Sequence, residues 1–357
     1  MKKVAGIAVL GLAVFVFVIC PAAPAFAVGA GFTPYSDAQA EVEPYFGKVR
    51  HIFFHSLILY PQLAFSGADA QGYKDWMVTR REFKEILHRL YRNGYALVDI
   101  RLVYQAGGKG FLFPKGKKPL IISVDDVNYY ESMKNKGFAQ KLIVDQNERL
   151  AALVKTPDGG VMVDYEGDIA PIIENFVKLH PDFSYNQAKG VLAVTGYQGV
   201  FGYRITSLKG NELEQELNEA KRVADWLKNS GWKIACHSYG HSPKFKDGSI
   251  TIDRLKSDME KWNGRIAPVT GKTDIFIPPY GRHFASGDSR FKLLRQNGFN
   301  IFCPVYKKME TVFSNGYMVS QRLNIDGLTL TKYPSRTDGL FDIDGVIDPA
   351  REQGRAG

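Results

Sequence analysis

The chain has 357 residues, 45% of them hydrophobic and 23% charged, with a formal net charge of +9. That length and apolar content provide for a large core, in one big α/β domain or two modest ones. The basic excess is diffuse, and no Lys/Arg block with interleaved aromatics appears, so composition gives no footing to a nucleic-acid partner. Beyond residue 27 the only cysteines are Cys236 and Cys303, which permit one bridge and exclude a disulfide scaffold.

Lys2 and Lys3 precede the apolar run Val4–Ile19, which leads to Ala25-Phe26-Ala27, a small-x-small cleavage pattern. The run has 16 residues, short of the ~20 that span a bilayer. A signal peptide over 1–27 with cleavage after Ala27 is therefore expected, with an uncleaved anchor as the alternative. Ile19, before Cys20, is too large for lipoprotein processing. Losing Lys2 and Lys3 and no acid lowers the formal charge from +9 to +7. The mature chain is expected to be secreted or attached to the cell surface, with no transmembrane segment.

Residues 28–48 read as a leader. Val49–Leu57 is apolar and aromatic enough for a strand. Thr79 and Glu82 form a capping box ahead of Phe83, Ile86, Leu87, Leu90 and Tyr91 at helical spacing, and Gly94 ends that helix. Strands are predicted over Ala96–Ile100 and Pro119–Val124. An antiparallel insertion follows at about 139–167, with turns at Asp145-Gln146-Asn147-Glu148 and Thr156-Pro157-Asp158-Gly159-Gly160. Asp168 caps the next helix, to Leu179. Strands over Gly190–Thr195, Trp232–Cys236, Asp274–Ile277 and Asn300–Val305 then alternate with helices over Glu212–Asn229, Ile252–Ile266 and Ser289–Asn297. Such alternation predicts a parallel sheet, open or closed into a barrel.

Parallel sheets keep their chemistry at the carboxyl ends of their strands. Two carboxylates, Asp125 and Asp126, stand side by side at one such end. Their mutual repulsion calls for a cation or a role in proton transfer, although a helix or turn cap is the plainer alternative for Asp126. At another strand end stands His237-Ser238-Tyr239-Gly240-His241. Two imidazoles that close, with an Asp oxygen, are in kind a hydrolytic metal site; a ligand-free pair of loop histidines is the alternative.

These two motifs, followed by Pro278-Pro279-Tyr280-Gly281 at a further strand end, resemble the polysaccharide deacetylases of the NodB-homology type, carbohydrate esterase family 4. The likeness runs from about Val49 to Val305, with Ser123-Val124-Asp125-Asp126-Val127 where that family has T-F-D-D-G. It implies a distorted (β/α) barrel, here over 49–350 with a short tail at 351–357, and one divalent metal, most often zinc. It also implies removal of acetyl groups, as amide or ester, from a cell-wall or extracellular polysaccharide such as poly-N-acetylglucosamine or peptidoglycan. Asp125 would be the catalytic base, with Asp126, His237 and His241 as metal ligands. The Tyr280 backbone N–H, beside Pro279, would face the oxyanion; apart from the resemblance, Asn128, Tyr129, Tyr130 and Tyr280 are expected to stack on sugar rings in the same groove.

Three departures bear on activity, one being that no D-x-x-D-W motif of that family is evident after His283. Ile277 stands where the family carries an arginine that orients the base, leaving Arg204, Arg282 or Arg322 as substitutes. No histidine lies beyond His283, although most members carry their acid near the C-terminus. Circularly permuted members carry it on the first strand, and Phe53-Phe54-His55 matches that arrangement. His55 is thus the expected acid, with His283 and His51 as rivals and a purely structural His55 as the plain alternative. A non-catalytic relative that binds a wall glycan in the same groove is the alternative function.

Overall fold

The computed structural model describes residues 41–306 and 308–353, so the expected signal peptide and most of the expected leader lie outside the described residues. Parallel strands follow one another around a barrel in chain order: β1 (Arg50–Phe54), β2 (Lys118–Val124), β3 (Val191–Val194), β4 (Lys233–Cys236), β5 (Ile275–Phe276), β6 (Ile301–Phe302) and β7 (Tyr317–Ser320). Two residues beyond β7 the chain enters β8 (Leu323–Asn324), which pairs parallel with β1, Leu323 opposite Ile52 and Asn324 opposite Phe53. One continuous stretch, Tyr317 to Asn324, therefore pairs with β6 at its start and β1 at its end, closing the ring. This is the distorted (β/α) barrel expected from the sequence. The expected insertion is a separate antiparallel sheet of Ala139–Val144, Leu150–Lys155 and Val161–Asp164.

Strand side chains alternate between two faces, and here the alternation separates two cores. Ile52, Phe54, Leu120, Ile122, Val124, Leu192 and Val194 point outward. They pack under helices such as α1 (Arg80–Arg92), which contributes Phe83, Ile86, Leu87 and Leu90 from one stripe. The inward file is Ile121, Ala193, Ala235, Ile275, Ile301, Cys303 and Met318. Counting on by twos at the carboxyl ends, the same face carries Asp125, Thr195, His237 and Arg322. Cys236 lies in the outer core and Cys303 in the inner one, and both are buried free thiols.

One expected strand is shorter than predicted. Tyr95–Leu97 is extended, but Asp99 accepts a hydrogen bond from the Arg101 N–H at 2.8 Å and starts a helix, Ile100–Ala106, where Ala96–Ile100 reads as strand. The expected leader also ends in structure, because Val42–Tyr45 is a strand paired with Phe111–Pro114.

The capping box at Thr79 forms as expected and is clasped by the C-terminal end of the described chain. Buried Glu82 accepts from Arg351 Nε at 2.5 Å and Nη2 at 2.7 Å, while Thr79 Oγ1 donates to Asp348 at 2.8 Å. A buried pair broken on one side leaves an uncompensated charge. Arg351→Ala is expected to lower the unfolding free energy by about 3–5 kcal/mol. Urea unfolding of the variant checks this, with the Glu82→Gln/Arg351→Met double variant losing less.

Candidate metal centre

Asp125 extends the inward file of β2 and is buried. The next residue, Asp126, has φ +58, in the left-handed region that Asp tolerates better than most side chains. That turn brings adjacent carboxylates to one mouth, where an extended backbone would send them to opposite faces. Ser238 (φ +59), His241 (φ +44) and Tyr280 (φ +56) sit in the same region, on the loops after β4 and β5. Left-handed non-glycine residues thus gather around this mouth, as strained backbone does at functional sites.

Asp126, His237 and His241 offer one ligand atom each, all within 4.8 Å of one another. Asp126 Oδ1 lies 3.9 Å from His237 Nε2 and 3.8 Å from His241 Nε2. Bonds of about 2.1 Å in a tetrahedral site set donors about 3.4 Å apart, so a small contraction closes these three on one cation. The donor set fits a divalent ion, and the tautomer of His237 fits too. Its Nδ1–H donates to the Ile277 carbonyl at 2.6 Å, which directs the Nε2 lone pair into the site. Ile277 thus orients the His237 ring through its backbone. Asp258, on the helix Ile252–Lys261, fixes the loop between the histidines by accepting from the N–H groups of Tyr239 and Gly240 at 2.7 and 2.8 Å.

Of the three arginines, Arg322 is the one that meets Asp125. Its side chain is fully buried, and Nη1 and Nη2 donate to Asp125 Oδ1 and Oδ2 at 2.7 and 2.9 Å. Nη1 also donates to Ser123 Oγ at 3.0 Å, Nε donates to the Cys303 carbonyl at 2.8 Å, and the guanidinium lies 4.1 Å from the Phe53 ring centre. Burial alone would raise the Asp125 pKa; Arg322 and the nearby imidazoles outweigh it and bring the carboxyl down to about 2. For Asp126, burial is likewise overcome by His241, His237, His55 and the Tyr130 hydroxyl, and its pKa falls. Arg204 instead binds Glu131 and backbone carbonyls, and Arg282 is exposed.

The histidines separate as clearly. His51 is enclosed in the barrel, its Nδ1 2.8 Å from Ser320 Oγ and its Nε2 3.0 Å from Ser123 Oγ, with burial first and Arg322 second holding its pKa well down. His283 packs against Phe291 and Phe302 of the outer core, away from the mouth. His55 lies near both Asp125 and Asp126, and its buried Nδ1 has no hydrogen-bond partner among the described residues.

Two expected sugar contacts are corrected. Asn128 is fully buried and ties β2 to the loop after β3, accepting from the Thr195 N–H at 2.9 Å and donating to the Thr195 carbonyl at 3.1 Å. Tyr129 is buried with its hydroxyl on Asp168 at 2.5 Å. Adjacency to Asp126 suggested both, but the turn there sends them inward. Tyr130 stays at the centre, donating to Asp126 Oδ1 at 2.5 Å. Its ring is covered by Tyr197, 5.3 Å away and nearly parallel, a residue no motif singled out. The exposed rings at the mouth are Tyr197 (42%) and Tyr280 (47%), the latter 4.8 Å from His241. Pro279 is buried beneath Tyr280, and as neither Pro278 nor Pro279 has an N–H, the first backbone donor of that loop is Tyr280.

No family model and no curated protein matches the chain. Solved deacetylase structures are among those it is similar to. The Streptococcus pyogenes deacetylase PplD in complex with acetate has 13% identity and a TM-score of 0.48, covering 84% of this chain and 100% of that one. IcaB from Ammonifex degensii has 14% identity and a TM-score of 0.44, covering 82% and 97%. A de-N-acetylase from Aggregatibacter actinomycetemcomitans has 15% identity and a TM-score of 0.46, covering 80% and 98%.

Elemental analysis of the purified protein should find one divalent ion per chain. His237→Ala should lose it, since a site with one of three protein ligands removed competes poorly with water. Equal metal in both proteins would remove these residues as ligands.

Proposed function

We propose that this chain is a metal-dependent hydrolase that removes acetyl groups from an acetylated polysaccharide. The observation that carries the reading is the convergence, on one barrel mouth, of a three-donor cation site with a carboxylate clamped by a buried arginine. Export to the cell surface, zinc as the ion, and poly-N-acetylglucosamine or peptidoglycan as the glycan belong to the same proposal, supported by the N-terminal pattern and the motif resemblance.

What a divalent cation contributes when held by Asp126, His237 and His241 is Lewis acidity toward the acetyl carbonyl and toward a nucleophilic water. Asp125, kept ionised and fixed in plane by Arg322, accepts the proton of that water. The backbone N–H of Tyr280 donates toward the oxygen on which negative charge develops. His55, immediately after β1, gives a proton to the departing sugar amine or hydroxyl. Tyr197 and Tyr280 offer open ring faces on which pyranose rings can stack.

The alternative of a non-catalytic glycan binder rested on Ile277. Arg322, between β7 and β8, offers a bidentate partner for Asp125 and so supports the catalytic reading over the binder.

Acetate release from chitooligosaccharides, poly-N-acetylglucosamine, peptidoglycan and acetylated xylan by zinc-, cobalt- or manganese-loaded protein tests the reading; no release from any of them returns it to a binder. Asp125→Asn should retain its metal and lose turnover by about 10² or more, the usual scale for a positioned base. His55→Ala should also retain its metal while kcat falls. Unchanged kcat in that variant would move the acid elsewhere.

A further inference from the structure

At the barrel end away from the metal centre, Val42–Tyr45 pairs antiparallel with Phe111–Pro114, Val42 opposite Pro114 and Pro44 opposite Leu112. Alternation sets Tyr45, Phe111 and Phe113 against the inner core and turns Val42, Pro44, Leu112 and Pro114 outward. An antiparallel unit with one solvated face normally makes that face polar. Here it carries no polar side chain.

Phe46, 76% exposed, prolongs this face, Leu112 on it is 54% exposed, and exposed Val312 borders it. A cavity of about 430 Å³, lined by Phe46, Val49, Val103, Phe111, Val312 and Phe313 among others, lies alongside. Basic residues rim the apolar area. Gly107 to Pro119 carries Lys109, Lys115, Lys117 and Lys118 with no acid, and exposed Lys48 follows Phe46. Of the nearby acids, Glu41 is paired with Lys115 at 2.8 Å and Asp182 with Lys117 at 2.7 Å, which leaves Glu43 and Glu310 against exposed Lys48, Lys109 and Lys118.

We propose that this face docks on an anionic phospholipid bilayer, with Phe46 and Leu112 entering the interface and the lysines meeting headgroups. An apolar patch rimmed by lysine is the composition that binds charged lipid surfaces. The orientation of the barrel agrees, since Arg50 and Lys118 open β1 and β2 at this end while His55 and Asp125 follow the opposite ends. A chain docked this way turns its catalytic mouth away from the lipid. The inference stands on the surface alone and is independent of whether the metal centre turns over.

The test is Leu112→Trp in the full chain, its emission taken as the difference from wild type. Phosphatidylglycerol vesicles should shift that emission to the blue and brominated acyl chains should quench it, whereas phosphatidylcholine vesicles should do neither. Lys48→Glu/Lys109→Glu should weaken binding to the anionic vesicles by about tenfold or more. Emission indifferent to both vesicle types overturns the proposal. A concentration-dependent dimer that Phe46→Ser abolishes would likewise overturn it, by giving the face to a second copy.

Discussion

The arrangement of the site depends on one buried ion pair, Arg322 on Asp125. Two charges withdrawn from water are tolerated only where geometry and further hydrogen bonds compensate their desolvation. Here they do: the guanidinium engages both carboxylate oxygens, Ser123, the Cys303 carbonyl and the face of Phe53. The clamp also reaches into the barrel, because Ser123 bridges to His51 and His51 to Ser320. Asp125 is thereby part of the packing that holds β1, β2 and the closing strand in register.

Around that fixed point the remaining groups are aimed by backbone. The left-handed turn at Asp126 separates the duties of adjacent carboxylates, one facing arginine and the other facing imidazoles. The Ile277 carbonyl sets the tautomer of His237, and Asp258 holds the loop between the histidines. These supports are hydrogen bonds to main-chain groups.

Much of this was legible in the sequence where the signal is local. Strand and helix periodicity, the Thr79 box, the turns of the insertion and the two ligand motifs are all short-range patterns. Arg322 was only one of three named arginines, because its partner is 197 residues away and nothing in Gln321-Arg322-Leu323-Asn324 marks it. Tyr197 went unseen for the same reason, as its role arises from the ring it covers. Asn128 and Tyr129 were misplaced because nearness in sequence does not survive a left-handed turn. Ala96–Ile100 misled because the apolar run conceals that Asp99 starts a helix.

Closure by the single stretch Tyr317–Asn324 also sets an order of events for a chain made from its N-terminus. β1 to β6 can pair as they emerge, but β1 keeps an open edge until Asn324 arrives, and unpaired edges invite association with other chains. The link between His51 and Ser320 spans 269 residues, a long loop to close. Asp125 therefore waits for its counter-charge until 197 further residues have been made. A nascent barrel is open along one seam and unneutralised beside it until Tyr317–Asn324 is made, and that one stretch both seals the cylinder and supplies the counter-charge.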